Sequence, residues 1–329
     1  MVVGACPMTA SKESVRELTV AGVGAIVLPS LFEEQVVQSL VESGESPQAG
    51  ELQTAEQHFE DIQQTSYGSP RGYLDLVAEL KSQGSVPVIA SLNGCTSGNW
   101  LDIATELEQA GADAFEVSLE SGMLEMATSA DTAEERLIEN VREFCKRTQL
   151  PVSVKLSPFH TNVANLAWRL TEVGVAGIVC FAHDPEWDVR TDHLAATLKW
   201  SLTPAHHINQ TLAGLIRLKV GGYAGDLAAS GGVCSAEDLL KALIAGADVA
   251  MVTSELYRSG PGAVTQMVEG LSSFLDQQQL SSVADLAQRR PKLPADFRGG
   301  YLRSITGRID ARDPTPKVAG RGDRWGHPT

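Results

Sequence analysis

One phrase recurs four times along this chain, as AGVGAIVL at 21–28, AGADAFEV at 110–117, VGVAGIVC at 173–180 and AGADVAMV at 245–252. Each time an amphipathic stretch ends at a Gly, which tolerates the left-handed backbone that closes a helix, and a short apolar run begins within three residues. Runs this short and this apolar suit strands covered on both faces. Four helix-to-strand joints of one design imply a repeated βα unit. Four further apolar runs, at 2–5, 86–91, 152–156 and 225–229, bring the expected strands to eight. Helices are expected at 12–21, 74–83, 100–110, 133–148, 163–173, 205–218, 236–245 and 263–277. Alternation with right-handed crossovers closes as a barrel or opens as a doubly wound sheet, and the count of eight favours the (β/α)8 TIM barrel.

Two insertions interrupt the alternation, at 44–71 and 182–203. Both follow strands, which puts them over the C-terminal face of a barrel, where active sites form. Beyond residue 286 the strings RRPKLP, GG and DPTP read as irregular structure. The expected organisation is a barrel domain at 1–286 and a basic irregular tail at 287–329. From Arg289 onward ten Lys or Arg face four Asp, so the tail carries +6 and the residues before it −21. The composition agrees with an α/β core: 43% of residues are hydrophobic and only 5% aromatic, so Ala, Val and Leu do the packing.

The net charge of −15 argues against nucleic acid or an anionic membrane surface as a general partner, since most of the surface would repel both. Five scattered cysteines without a C-x-x-C pair suit a reduced compartment. With no basic n-region and no apolar stretch near the roughly 18 residues that span a bilayer, a cytoplasmic protein with a small-molecule substrate is expected.

Two features carry chemistry. In LAASGGVCSAE at 227–237, paired glycines sit between a strand and a helix, where backbone N–H groups crowd an anion and a helix N-terminus adds partial positive charge. Ser230, Gly231 and Gly232, with Thr253 and Ser254 after the next strand, fall on the last two strands, where barrels hold a ligand phosphate. The second feature is Lys155 in PVSVKLSP at 151–158, a cation at the C-terminal end of a buried strand. There it faces an anion or an electron-rich cofactor, or else snorkels to solvent. No cluster spaced as metal ligands stands out, and His206 and His207 point to different sides of a helix.

The segments VPVIASLNG at 86–94, EQAGADAFE at 108–116, VKLSP around Lys155, and SGGV followed by LKAL-IAGAD resemble the dihydroorotate dehydrogenases. The resemblance covers roughly residues 1–286. It implies a barrel that binds FMN, an oxidoreductase acting on CH–CH groups in pyrimidine metabolism, and a possible homodimer. It also implies that Gly231, Gly232, Thr253 and Ser254 hold the flavin phosphate, that Lys155 contacts the flavin, and that Ala5 and Cys6 approach its ring. A cation beside the pyrimidine edge stabilises a reduced, anionic flavin.

Several positions depart from the family pattern. Pro29 stands where a second lysine is usual, and proline offers neither charge nor donor. Ser118, Met123 and Ala182 stand where asparagines cradle the pyrimidine acid, along with residues near Tyr67. The family's general base falls on Ser121. Replacement proton transfer comes, on this reading, from His183 in FAHDPEWDVR at 181–190. Two alternatives stay open: a catalytically silent barrel that binds FMN or another phosphate ligand, and an aldolase forming a Schiff base on Lys155. Cys95 and Cys180 read as ordinary small buried residues.

Overall fold

In the computed structural model of the chain, which describes residues 1–56, 67–84, 86–119, 126–183, 186–199, 201–204 and 207–292, each of the four recurrent joints turns on a left-handed glycine. These are Gly22 (φ 97°), Gly111 (104°), Gly174 (110°) and Gly246 (127°). A side chain there would carry the Cβ penalty of that region, so the repeated Gly in the sequence is the repeated end of a helix.

The joints feed eight parallel strands: β1 Val2–Val3, β2 Ala25–Val27, β3 Val88–Asn93, β4 Ala114–Ser118, β5 Val152–Leu156, β6 Gly177–Cys180, β7 Asp226–Ala229 and β8 Val249–Val252. Ile26 pairs with Val88, and the ring closes where Val2 meets Met251. The barrel helices between and after them are α1 Lys12–Val20, α2 Pro70–Ser82, α3 Ile103–Ala110, α4 Ala130–Cys145, α5 Val163–Glu172, α6 Ile208–Val220, α7 Ala236–Ala245 and α8 Gly262–Gln277, with a short extra helix, Ser254–Ser259, before α8. The architecture is the (β/α)8 barrel. Contacts divide the chain into Met1–Arg290 and Pro291–Thr329. Residues 293–329, most of the basic tail, lie outside the described residues.

Alternation along each strand sends every second side chain inward. Val2, Ala25, Val27, Val179 and Met251, joined by Ala5, Ile89 and Ala228, form a small aliphatic plug separate from the larger strand–helix core. On β3, β4 and β5 the same parity turns polar, with Ser91, Glu116 and Lys155 in step with these positions. The barrel interior therefore has an apolar sector and a polar one.

Two joints carry Ala-Gly-Ala-Asp, and the aspartates do the same work. The Asp113 amide donates to Val88 O (2.9 Å) while its Oδ2 accepts from Val88 N (2.7 Å). Asp248 clips Leu227 in the same way, at 2.7 and 3.0 Å. Each aspartate thus pins a neighbouring strand at the N-terminal rim. Lys81 Nζ completes the first clip, at 2.7 and 2.8 Å from the two Asp113 oxygens. Arg290 completes the second, reaching Asp248 Oδ1 (3.2 Å), the α7 carbonyl of Leu243 and the carbonyl of Ala247 just beyond that helix. Asp113→Ala is expected to lower stability by about 1–2 kcal/mol, seen as a lower urea midpoint with an unchanged slope.

The first insertion starts earlier than the expected 44–71. After β2 a two-residue strand, Leu31–Phe32, pairs beside β3, and helices Glu33–Glu42 and Ala49–Glu56 follow. Two buried carboxylates from it staple the loop after β3. Glu33 accepts from Cys95 N (2.7 Å) and Thr96 N (3.1 Å), and Glu51 accepts from Trp100 N (2.8 Å). The second insertion holds an antiparallel hairpin, Glu186–Arg190 with Ala195–Lys199. No described helix is long and apolar enough to cross a membrane.

Candidate functional site

The C-terminal mouth of the barrel contains a cavity of about 300 Å³, at the small end of the roughly 300–1,000 Å³ typical of ligand sites. Ala5 and Cys6 line it from the end of β1, Lys155 from β5, and His183 from the loop after β6. Gly231 and Gly232 after β7, and Thr253 and Ser254 after β8, complete the wall. One cavity thus gathers these eight residues, whereas Pro29, Tyr67 and Ser118, also singled out from sequence, do not line it. Ser121 and Met123 lie outside the described residues, as does His206.

The glycine pair has the geometry of an anion cradle. Both residues are left-handed, with φ of 103° and 78°, and their amides find no acceptor among the described residues. A Cβ on Gly232 would sit 2.2 Å from Ile208 N, so only glycine lets this loop pass so close to the start of α6. From α6, the buried Thr211 hydroxyl reaches the carbonyls of Ser230 and Gly231, both at 2.9 Å, and braces the loop. The helix contribution expected from sequence does not hold. The first turn of α7 is closed by its own residues, with Ser235 Oγ accepting from Asp238 N and Asp238 Oδ2 accepting from Cys234 N. With Glu237 and Asp238 already in that turn, the macrodipole is compensated locally, which leaves the loop amides to meet an anion.

Lys155 is not a bare cation. Its ammonium donates to Glu116 Oε1 across the β4–β5 boundary, and Glu116 is only 3% exposed. In such a pair each partner compensates the other's lost hydration. It aims a lysine at the cavity without loading the site with net charge.

At the end of β2 there is a neutral network. Ser30 Oγ lies 2.9 Å from Ser91 Oγ, and the Tyr67 hydroxyl donates to Ser30 O at 2.7 Å and contacts Gln35 Oε1 at 3.1 Å. Pro29 precedes it. Ser118 is half-buried at the end of β4, and Ala182 presents only a methyl group to the cavity.

All five cysteines are free thiols. Burial pushes Cys180 up to about 12 and Cys145 up to about 11. Cys6 and Cys234 are also raised by burial, the latter against the opposing pull of the Arg258 guanidinium. These four are therefore thiols rather than thiolates near neutrality. Iodoacetamide at pH 7.5 should leave Cys180 unmodified in the folded protein and label it only after denaturation, as read by mass spectrometry.

The cavity is roofed by residues 201–204 at the end of the second insertion. Thr203 N donates to Ser254 Oγ (3.0 Å), and Arg258 Nη2 donates to the carbonyls of Leu202 (3.2 Å) and Thr203 (2.7 Å). His183 Nδ1 lies 3.4 Å from Thr203 Oγ1. Sequence reasoning missed Glu116, Thr211 and Arg258, and it set the second insertion over the mouth without singling out this strap. Glu116 alone left a signal, an acidic residue inside an apolar strand, because the other two act through contacts between distant segments.

This donor set fits FMN: open amides at one end suit a phosphate ester, and a paired lysine inside the barrel suits a polar ring edge. The sequence profile of the dihydroorotate dehydrogenase family matches residues 69–275. A protein of Aeropyrum pernix provisionally named dihydroorotate dehydrogenase A (fumarate) is 26% identical over 227 residues, which are 64% of this chain and 70% of the relative. The catalytic subunit of dihydroorotate dehydrogenase B (NAD(+)) of Endomicrobium trichonymphae is 25% identical over 220 residues, 65% of this chain and 70% of that one. Dihydroorotate dehydrogenase (quinone) of Rhizobium meliloti is 27% identical over 146 residues, 43% of this chain and 40% of the relative. With its barrel and its mouth cavity, the chain belongs to the dihydroorotate dehydrogenase family.

Proposed function

We propose that this chain is an FMN-dependent oxidoreductase acting on a CH–CH group of a small substrate that is not recognised as orotate is. The observation that carries this reading is the convergence of Lys155, the Gly231–Gly232 cradle and Ser254 on one cavity. Bound FMN supplies a two-electron acceptor for a hydride. The amides of Gly231 and Gly232 hold the phosphate, and Thr211 keeps their loop in register. Lys155, steadied by Glu116, places positive charge beside the ring edge that becomes electron-rich on reduction. His183, exposed on the loop after β6, receives the substrate proton, with Ser121 as the other candidate.

The substrate side differs from the family pattern in kind. An asparagine amide donates and accepts at once, whereas Ala182 does neither and a serine at 118 reaches less far. Losing such partners costs a polar acid several kcal/mol in all. The replacements also favour a second reading, a barrel that binds FMN without turnover. Free thiols throughout agree with a reduced, cytoplasmic setting for either reading.

The absorbance spectrum of the purified protein tests the proposal. Flavin bands, or their appearance as free FMN is taken up, are the expected result, and a colourless protein that takes up no FMN sinks it. Anaerobic addition of dihydroorotate and other CH–CH donors then separates the readings. Bleaching by any donor supports the enzyme, and a flavin that no donor reduces supports the silent barrel.

A further inference from the structure

The hairpin of the second insertion turns Trp187, Val189, Leu194 and Leu198 to solvent, each more than half exposed. Burial of those side chains therefore does not hold the insertion down. The strap that follows, residues 201–204, is held by hydrogen bonds instead. Thr203 N donates to Ser254 Oγ at 3.0 Å, and Arg258 Nη2 donates to the carbonyls of Leu202 (3.2 Å) and Thr203 (2.7 Å). All three bonds come from the short helix Ser254–Ser259, and the two from Arg258 carry a charge, which roughly doubles the strength of a hydrogen bond. We infer that Arg258 is a latch, a positioning residue that keeps the strap shut over the cavity and so sets how fast the cofactor enters and leaves. The inference rests on the FMN reading above and adds control of exchange to it.

The placement of Arg258 suits a latch and not a ligand contact. Leu202 and Thr203 line the cavity, whereas Arg258 does not. Its other nitrogen, Nη1, lies 3.4 Å from Glu255 Oε2, a brace one helical turn away that keeps the guanidinium aimed at the strap. Across the mouth, Thr203 Oγ1 lies 3.4 Å from His183 Nδ1, so the strap reaches from the helix after β8 to the loop after β6. It is shut in the chain without ligand. A strap that is shut before binding obstructs entry as well as exit, so releasing it speeds both and changes their ratio little.

The test follows FMN association and release by stopped-flow flavin fluorescence on the full chain and on Arg258→Ala. Both rate constants should rise about tenfold while the dissociation constant stays within about threefold of the parent value. Arg258→Lys, which keeps the charge but loses the planar fork, should fall between the two. A second measurement needs no flavin: N-ethylmaleimide labelling of Cys6, which lines the cavity, should also be about tenfold faster in Arg258→Ala, with Cys145, outside the cavity, as the control. Faster release with unchanged or slower association overturns the inference, by showing that Arg258 contributes affinity and not gating. Unchanged rates, or Cys6 labelled no faster than in the parent, also overturn it, as does a Cys145 rate that rises in step with that of Cys6, which would show a loosened fold. If the parent chain binds no FMN, the FMN reading falls, and the labelling of Cys6 decides for or against the latch by itself.

Discussion

Lys155→Met is expected to lower the melting temperature of the protein by roughly 6–10 °C, corresponding to a loss of about 3 kcal/mol. The cause is the partner left behind rather than the contact removed. Glu116 is buried on an inward-facing position of β4, and without the ammonium its carboxylate has no compensating charge. The lower end of the usual range for breaking a buried pair applies because the Lys155 side chain keeps 18% of its surface exposed. Adding Glu116→Gln should recover most of the loss, since a neutral amide costs far less to bury than an unpaired ion. Both changes should still abolish any effect of the lysine on bound flavin. A single variant as stable as the parent would show that the pair contributes nothing net.

Gly232→Ala is expected to remove FMN binding and to cost about 3 kcal/mol. Two penalties add. The left-handed backbone costs an L residue about 1–2 kcal/mol, and the new Cβ meets Ile208 N at 2.2 Å and His207 C at 2.7 Å, backbone atoms that yield only if α6 moves. Gly231→Ala is the comparison. Its Cβ would lie 3.3 Å from Thr211 Oγ1, a side chain with some freedom to turn, so its effect should be smaller by at least half. Equilibrium unfolding and FMN titration of the two variants, side by side, check the order.

The fold was legible because its information is local. A glycine that closes a helix and an apolar run that must be a strand are properties of eight consecutive residues, and all four such joints carry the left-handed glycine. The elements missed lack that kind of local mark. Helix Glu33–Glu42 follows a strand with no Gly or polar run to separate it, and its first turn is closed by Gln35 reaching back to Phe32 N. The hairpin at 186–199 turns at Leu194, with φ of 50°, where a leucine gives no turn signal. Within the site, the glycine pair and Lys155 announce themselves by residue type. Pairing with Glu116 depends on how β4 and β5 lie against each other, and the strap meets Ser254 only because the chain returns across fifty residues.

The aspartate clips at Val88 and Leu227 have a bearing on how such a chain can change over time. They lie at the floor of the barrel, at the end opposite the mouth, and they fasten neighbouring strands without help from any residue that meets a ligand. Closure of the ring is thereby uncoupled from the contents of its mouth. Changes at Ser118, Ala182 or Pro29, away from the clips, are therefore expected to alter what is bound more than the ring itself. The scaffold keeps its shape while its specificity drifts.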